Sequence, residues 1–79
     1  MPTFHFHLHD DLDCADEEGT ELPDLAAARK RAAQEARLLM CELLRMEGRI
    51  ALHHYIDIED GDGAVLGSVP FRDVVKIEA

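Results

Sequence analysis

Apolar and polar residues alternate strictly at the start of the chain. The apolar positions are Phe4, Phe6 and Leu8, and the polar positions that follow each of them are His5, His7 and His9. Because successive side chains of a strand point to opposite faces, this alternation predicts a strand over residues 3–9 with an apolar inner face and a histidine-bearing outer face. We expect residues 12–15 to return as a short second strand, and residues 16–23 to form a loop that turns at Gly19.

An apolar repeat with spacings of three and four residues follows, and it predicts one long helix over residues 25–47. The core-facing positions of this helix are Leu25, Ala28, Ala32, Ala36, Leu39, Leu43 and Met46. The segment contains no glycine or proline, which favours an uninterrupted helix. Asp24 is placed to cap the first turn, and Gly48 is placed to end the helix in a left-handed conformation.

A second alternating stretch predicts a strand over residues 50–59. Its inner face consists of Ile50, Leu52, His54, Ile56 and Ile58. DGDG at 60–63 is typical of a hairpin turn and predicts an antiparallel return over 64–69. Residues 71–74 are expected to form a turn or short helix, and 75–77 a last short strand. The order β-(β)-α-β-β indicates a single α+β domain over residues 1–79, with a small antiparallel sheet of three to four strands packed on one long helix.

The second half of the predicted helix has more apolar residues than one face can hold. Leu38, Met40 and Leu44 fall outside the core stripe, and a sheet covers only one side of a helix. Either a loop or another subunit must cover them, and a chain this short has little else to offer. We therefore predict a homodimer, with these three residues and Tyr55 of the outer sheet face as interface candidates.

The net charge of −9 is unevenly distributed along the chain. Residues 24–49 hold six basic and four acidic residues, a net charge of +2, whereas the remainder holds 13 acidic and two basic residues, a net charge of −11. Such a field repels phosphates and disfavours direct binding of nucleic acid. It suits a basic protein partner, and one hypothesis is an acidic decoy that occupies the nucleic-acid-binding site of another protein.

The expected compartment is the cytoplasm. No run of residues approaches the roughly 18 apolar residues of a membrane span, and we find no signal peptide at the N-terminus. We expect no contact with a membrane. Cys14 and Cys41 are too few for a disulfide framework and are expected to be free thiols.

The alternating histidines are also candidates for a metal site. Side chains at i and i+2 of a strand lie on one face about 6.6 Å apart, so two imidazoles can converge on one zinc or copper ion. The candidate ligands are His5, His7, His9 and His53, with Asp57 and Glu59 beside them if the two long strands are neighbours. The competing interpretation is a solvated or interface-forming face that holds no metal.

Enzymatic motifs are absent from the sequence. We find no nucleophile elbow and no phosphate-binding glycine loop, and the acid-rich segments do not have the spacing of a calcium-binding EF-hand loop. We expect a protein that is not an enzyme and, apart from the metal hypothesis, has no cofactor.

Three segments resemble those of a known family: DEEGTELPDLAAAR at 16–29, IDIEDGDGAVL at 56–66 and VPFRDVVKIE at 69–78. They are similar to small uncharacterised bacterial domains that are common in rhizobia and related alphaproteobacteria. The resemblance implies a single soluble, stand-alone domain and assigns no activity or site residue. Asp11 stands where members often have glycine, so we expect a differently built first turn. A looser likeness to antitoxin-type domains, in which P-D-L also precedes a helix, suggests a regulatory role by analogy.

The sequence therefore favours a non-enzymatic, homodimeric interaction or regulatory module. A metal-binding protein that uses the histidine face is the alternative, and the acidic decoy is a further one.

Overall fold

One helix lies against one face of a five-stranded antiparallel sheet in the computed structural model, which describes residues 1–79. The elements are β1 (Thr3–His9), β2 (Asp13–Cys14), β3 (Thr20–Glu21), α1 (Leu25–Glu47), β4 (Tyr55–Glu59) and β5 (Val65–Pro70), followed by a 3₁₀ turn at Phe71–Asp73. The predicted α+β class is confirmed. Two of the five strands are only two residues long. The helix α1 is not apolar enough to span a membrane.

Strand β1 lies at the centre of the sheet. The order is β2-β1-β4-β5, and β3 also pairs with β1. On one edge of β1, Phe6 lies opposite Ile58 and His9 lies opposite Tyr55 of β4. On the other edge, β3 pairs with the beginning of β1 and β2 pairs with its end. The chain between β2 and β3 therefore runs past the middle of β1 without strand pairing.

The helix begins and ends where its capping residues predict. The Asp24 carboxylate accepts a hydrogen bond from the Ala27 amide at 2.8 Å. Gly48 adopts a left-handed conformation with φ of 69°, and its N–H donates to the Leu44 carbonyl. The capping predictions for both residues are confirmed.

The core lies between α1 and the inner face of the sheet. Its buried members are Phe4, Ala28, Ala32, Ala36, Met40, Ile56, Ile58, Val69 and Phe71. The helix residues among them repeat every four positions, so the buried line turns about 40° around the helix at each step. It therefore reaches Met40 rather than the predicted Leu39. Met40 is only 6% exposed, so its assignment to a subunit interface is wrong.

The helix is longer than the sheet that it covers. Its 23 residues extend about 34 Å, whereas the seven residues of β1 extend about 23 Å. No residue of α1 after Met40 is buried, so the core covers the helix only as far as that residue. Leu38 lies about 160° around the helix from the buried Met40 and faces away from the sheet, whereas Leu44 and Met46 follow the last buried residue of α1, and all three remain exposed.

Two predicted strands differ from the observed ones. The strand predicted over 50–59 begins only at Tyr55, because its partner β1 ends at His9 opposite that residue. Residues 50–54 instead form a turn that exposes Ile50 and buries Ala51. The last strand predicted over 75–77 is not formed, because the 3₁₀ turn after Pro70 leads the chain away from the sheet and alongside α1.

Candidate functional site

The outer face of the sheet carries a row of histidines beside a row of polar residues. His7 lies opposite Asp57 and His9 lies opposite Tyr55 in the register of β1 and β4. Diagonal contacts join the two rows: His7 Nε2 lies 3.1 Å from Glu59 Oε2, and His9 Nε2 lies 3.0 Å from Asp57 Oδ2. The two long strands are thus neighbours, the condition on which the predicted contacts depended, and His7 meets Glu59.

Asp16 takes the place of a missing strand partner on the other edge of β1. The amide of Phe6, between the β2 and β3 pairings, donates a hydrogen bond of 3.1 Å to Asp16 Oδ2. The amide of Gly19 donates one to Oδ1. Partial burial raises the pKa of Asp16, but these amide hydrogen bonds and the nearby His5 outweigh it, so the pKa of Asp16 lies below its ordinary value.

Hydrogen bonds to Asp16 also fix the proton positions on two histidine rings. The backbone N–H of Asp16 donates to Nδ1 of His7 at 3.0 Å, so the ring proton of His7 lies on Nε2, beside Glu59. His5 Nδ1 lies 2.8 Å from the Asp16 carbonyl, which only accepts, so His5 donates there. In this arrangement His7 keeps no free lone pair for a metal ion.

The four histidines predicted as metal ligands do not form one cluster. His9 lies between two carboxylates, with Nδ1 at 3.1 Å from Asp13 Oδ1 in addition to its contact with Asp57. His53 precedes β4 and lies in the turn beyond the end of the paired strands. The structure therefore separates His53 from the strand histidines and engages His5, His7 and His9 in internal contacts.

A second feature is an exposed apolar line on α1, formed by Leu38, Cys41 and Leu44, which we call the helix stripe. All three residues are exposed, and Leu38 keeps 63% of its accessible surface. Their spacing of three residues places them along one side of the helix. Cys41 and Leu44 also line a groove of about 300 Å³ between α1 and the C-terminal residues.

The predicted interface residues lie on different parts of the molecule. Leu38 and Leu44 share the helix stripe, whereas Met40 is in the core. Tyr55 lies on the outer face of the sheet, where its ring stacks on His9 with centroids 4.6 Å apart. Because α1 covers the opposite face, Tyr55 cannot contribute to a surface that is formed by the helix stripe.

A third cluster joins the two turns at one end of the sheet. Asp11 follows β1, while His53 and His54 precede β4, and one carboxylate oxygen and one nitrogen from each imidazole lie within 4.8 Å of one another. Sequence reasoning placed His53 with the strand histidines and His54 in the core, and missed Asp11. The antiparallel pairing of His9 with Tyr55 brings the two turns together, so the cluster depends on strand register.

Comparison with known proteins gives one match. The sequence model of a family described as a domain of unknown function (DUF6894) matches residues 3–72, a range that contains all five strands and α1. Neither a curated protein nor a solved structure matches the chain significantly. The expected resemblance to a family of uncharacterised domains is confirmed.

Proposed function

The chain belongs to this family of unknown function, DUF6894, and we propose that it is a non-enzymatic interaction module that works as a homodimer joined through the helix stripe. The observation that carries the proposal is the exposure of Leu38, Cys41 and Leu44 along one side of the second half of α1. An apolar line of this kind on a small domain favours a partner surface.

A second copy is the partner that this line fits best. Leu38 and Leu44 stand at equal distances of three residues from Cys41, so the line is symmetric about its centre. A two-fold axis beside Cys41 would pack Leu38 of one copy against the partner's Leu44, and the same contact would form again on the other side of the axis. The two helices then run antiparallel, with their axes about 8–10 Å apart.

The distribution of charge supports the same contact. Two chains of net charge −9 repel each other, and the repulsion is smallest when the acidic regions are far apart. Residues 24–49 carry a net charge of +2, whereas the rest of the chain carries −11, and the helix stripe lies within residues 24–49. On the flank of the stripe, Arg45 Nη2 lies 2.9 Å from Glu42 Oε2, so both signs of charge are present there.

The core size gives a reason for association. Only 11 of the 79 residues are buried, so the single chain leaves much of its apolar side-chain surface in water. Covering Leu38 and Leu44 in two copies adds apolar burial that one copy does not supply. The cytoplasm is the compartment that we propose, since exposed free thiols such as Cys14 and Cys41 suit a reducing environment.

A matched pair of variants tests the contact. Leu38→Glu and Met46→Glu each introduce one carboxylate at a strongly exposed apolar position of α1, 63% and 69% exposed. Met46 lies about 140° around the helix from Cys41, outside the stripe. We expect sedimentation velocity to show a monomer for Leu38→Glu and a concentration-dependent dimer for Met46→Glu and the unchanged chain. Dimers of equal strength in both variants would contradict the proposal.

The dimer would leave its most acidic segment free for a further partner. Residues 10–21 contain seven acidic residues and no basic one, and they lie outside the proposed contact. A basic protein is the partner chemistry that suits this segment, and the acidic decoy is one form of that hypothesis. A complex recovered from the native host that persists unchanged at high salt would count against it.

A further inference from the structure

We propose that Asp11, His53 and His54 bind a divalent transition metal ion, for which zinc is the best fit. The site would be formed by one carboxylate oxygen and two imidazole nitrogens at the end of the sheet. It is distinct from the strand histidines that the sequence pattern suggested, and it does not depend on association of two chains.

The distances between the three groups suit one small ion. Nε2 of His53 and Nε2 of His54 each lie 3.7 Å from Oδ1 of Asp11, and all the candidate ligand atoms lie within 4.8 Å of one another. Around a tetrahedral ion with bonds of about 2.1 Å, ligand atoms lie roughly 3.4 Å apart. The two distances to Asp11 exceed that value by about 0.3 Å, and the exposed side chains of Asp11 and His53 can move to close the trio around an ion.

His54 gives the strongest indication of a ligand. Its side chain is only 8% exposed, and its buried Nε2 has no hydrogen-bond partner in the structure. The 3.7 Å to Asp11 exceeds the length of a hydrogen bond. A buried polar atom without a partner is costly, and a cation between this nitrogen and the Asp11 oxygen would satisfy both.

The surroundings position the trio from two sides. The edge of the His54 ring meets Phe71, with ring centroids 5.6 Å apart, and the His54 carbonyl accepts a hydrogen bond from the Phe71 amide. Nη2 of Arg49 lies 3.8 Å from Oδ2 of Asp11. This contact involves Oδ2 and leaves Oδ1 for the ion. Groups that contact a metal ligand in this way commonly hold it in the orientation that binds the metal.

The donor set decides the class of ion. Two imidazoles favour zinc, copper, nickel or iron over calcium and magnesium, which prefer oxygen ligands. Three protein ligands leave at least one coordination position for water or another molecule. Asp11 and His54 also line a cavity of about 330 Å³, so a bound ion would lie at the rim of that cavity.

Zinc titration of metal-free, untagged protein by calorimetry is the direct test. We expect one zinc ion per chain with micromolar or tighter affinity. His53→Ala and Asp11→Asn alter exposed side chains and should each weaken binding at least tenfold, whereas Asp62→Asn, an exposed aspartate in the turn after β4, should leave it unchanged. Because His54 is buried, it is better followed in the unchanged chain, where zinc should shift its ring resonances together with those of His53.

Three results would overturn the proposal. One is no saturable zinc binding at micromolar concentration. A second is equal affinity in the unchanged chain and in both the His53→Ala and Asp11→Asn variants. The third is loss of binding in a His5→Ala/His7→Ala double variant but not in His53→Ala, which would place the ion on the strand histidines.

Discussion

The backbone N–H of Asp16 donates a hydrogen bond of 3.0 Å to Nδ1 of His7. This contact joins the central strand β1 to the segment between β2 and β3, which runs along the edge of β1 opposite β4. It also determines which nitrogen of the His7 ring carries the proton. The Asp16 carboxylate accepts the amide of Phe6 from the same strand. The Phe6 amide in the middle of β1 is thus hydrogen-bonded to one residue of the connecting segment instead of to a neighbouring strand.

Replacing His7 by leucine should reveal the strength of this contact. His7→Leu leaves the partly buried Asp16 amide without its acceptor, and we expect a loss of about 1–2 kcal/mol in the free energy of unfolding. His9→Leu is the matched control, because His9 contacts two carboxylates and no backbone amide, and it should cost less than about 1 kcal/mol. Urea unfolding measures both, and an equal loss in the two variants would refute the role given to Asp16.

Acidic pH should reduce the contribution of Asp16 to the free energy of unfolding. Its pKa is lower in the folded chain than the unperturbed 3.8, so its carboxylate stabilises the fold above that pH, and this contribution is lost as the pH falls through the lower folded value. Asp16→Asn should cost about 1–2 kcal/mol at neutral pH, since an amide cannot accept at both of its polar atoms.

The difference between the unchanged chain and Asp16→Asn should then shrink below about pH 4. Unfolding titrations from neutral to acidic pH measure that difference. Asp62→Asn serves as the control, since the Asp62 side chain makes no hydrogen bond in the structure. The free energy of unfolding of this variant should follow that of the unchanged chain at every pH. A difference for Asp16→Asn that is constant with pH would argue against the carboxylate as the acceptor.

Gly19 should tolerate no side chain. Its φ is +77°, and a Cβ built there would lie 2.6 Å from Cγ2 of Thr3 and 2.9 Å from Cε1 of His5. We expect Gly19→Ala to lower the free energy of unfolding by about 2–4 kcal/mol through backbone strain and overpacking. A Cβ at Gly61 would lie in open space, so Gly61→Ala should change the free energy of unfolding by less than about 0.5 kcal/mol. Similar stability of the two variants would show that the segment before β3 is packed differently.

Cys41 should report the two-fold axis of the dimer. With helix axes about 8–10 Å apart and Cα atoms about 2.3 Å from each axis, two Cys41 residues beside the two-fold axis come within reach of a disulfide. In the Cys14→Ser variant we expect mild oxidant to give a cross-linked dimer on a non-reducing gel. The Cys41→Ser variant keeps Cys14, which is also exposed, and should cross-link much more slowly. The reverse order of the two variants would place the contact elsewhere.

Local patterns predicted the elements whose causes are local. The period of two at Phe4, Phe6 and Leu8 predicted β1, and Asp24 and Gly48 predicted both ends of α1. The strand predicted from residue 50 was too long, because its length is set by β1 and not by its own alternation. Met40 was misplaced for a similar reason, since the line of helix residues that the sheet buries rotates along the helix.

The candidate sites were harder to predict from the sequence than the helix and the strands. The trio of Asp11, His53 and His54 requires the register of β1 and β4, which no single segment contains. The use of His7 in an internal hydrogen bond depends on Asp16, nine residues away in a segment interpreted as a loop. Spacing identified histidines that share a face, but only the three-dimensional arrangement tells which nitrogens are still free.

The mass of the unchanged chain in solution tests the central claim, self-association through the helix stripe, most directly. Sedimentation equilibrium over a range that reaches high micromolar concentration should show the mass rising from the 8.9 kDa of one chain towards twice that value. A mass that remains at 8.9 kDa across the whole range would contradict the homodimer.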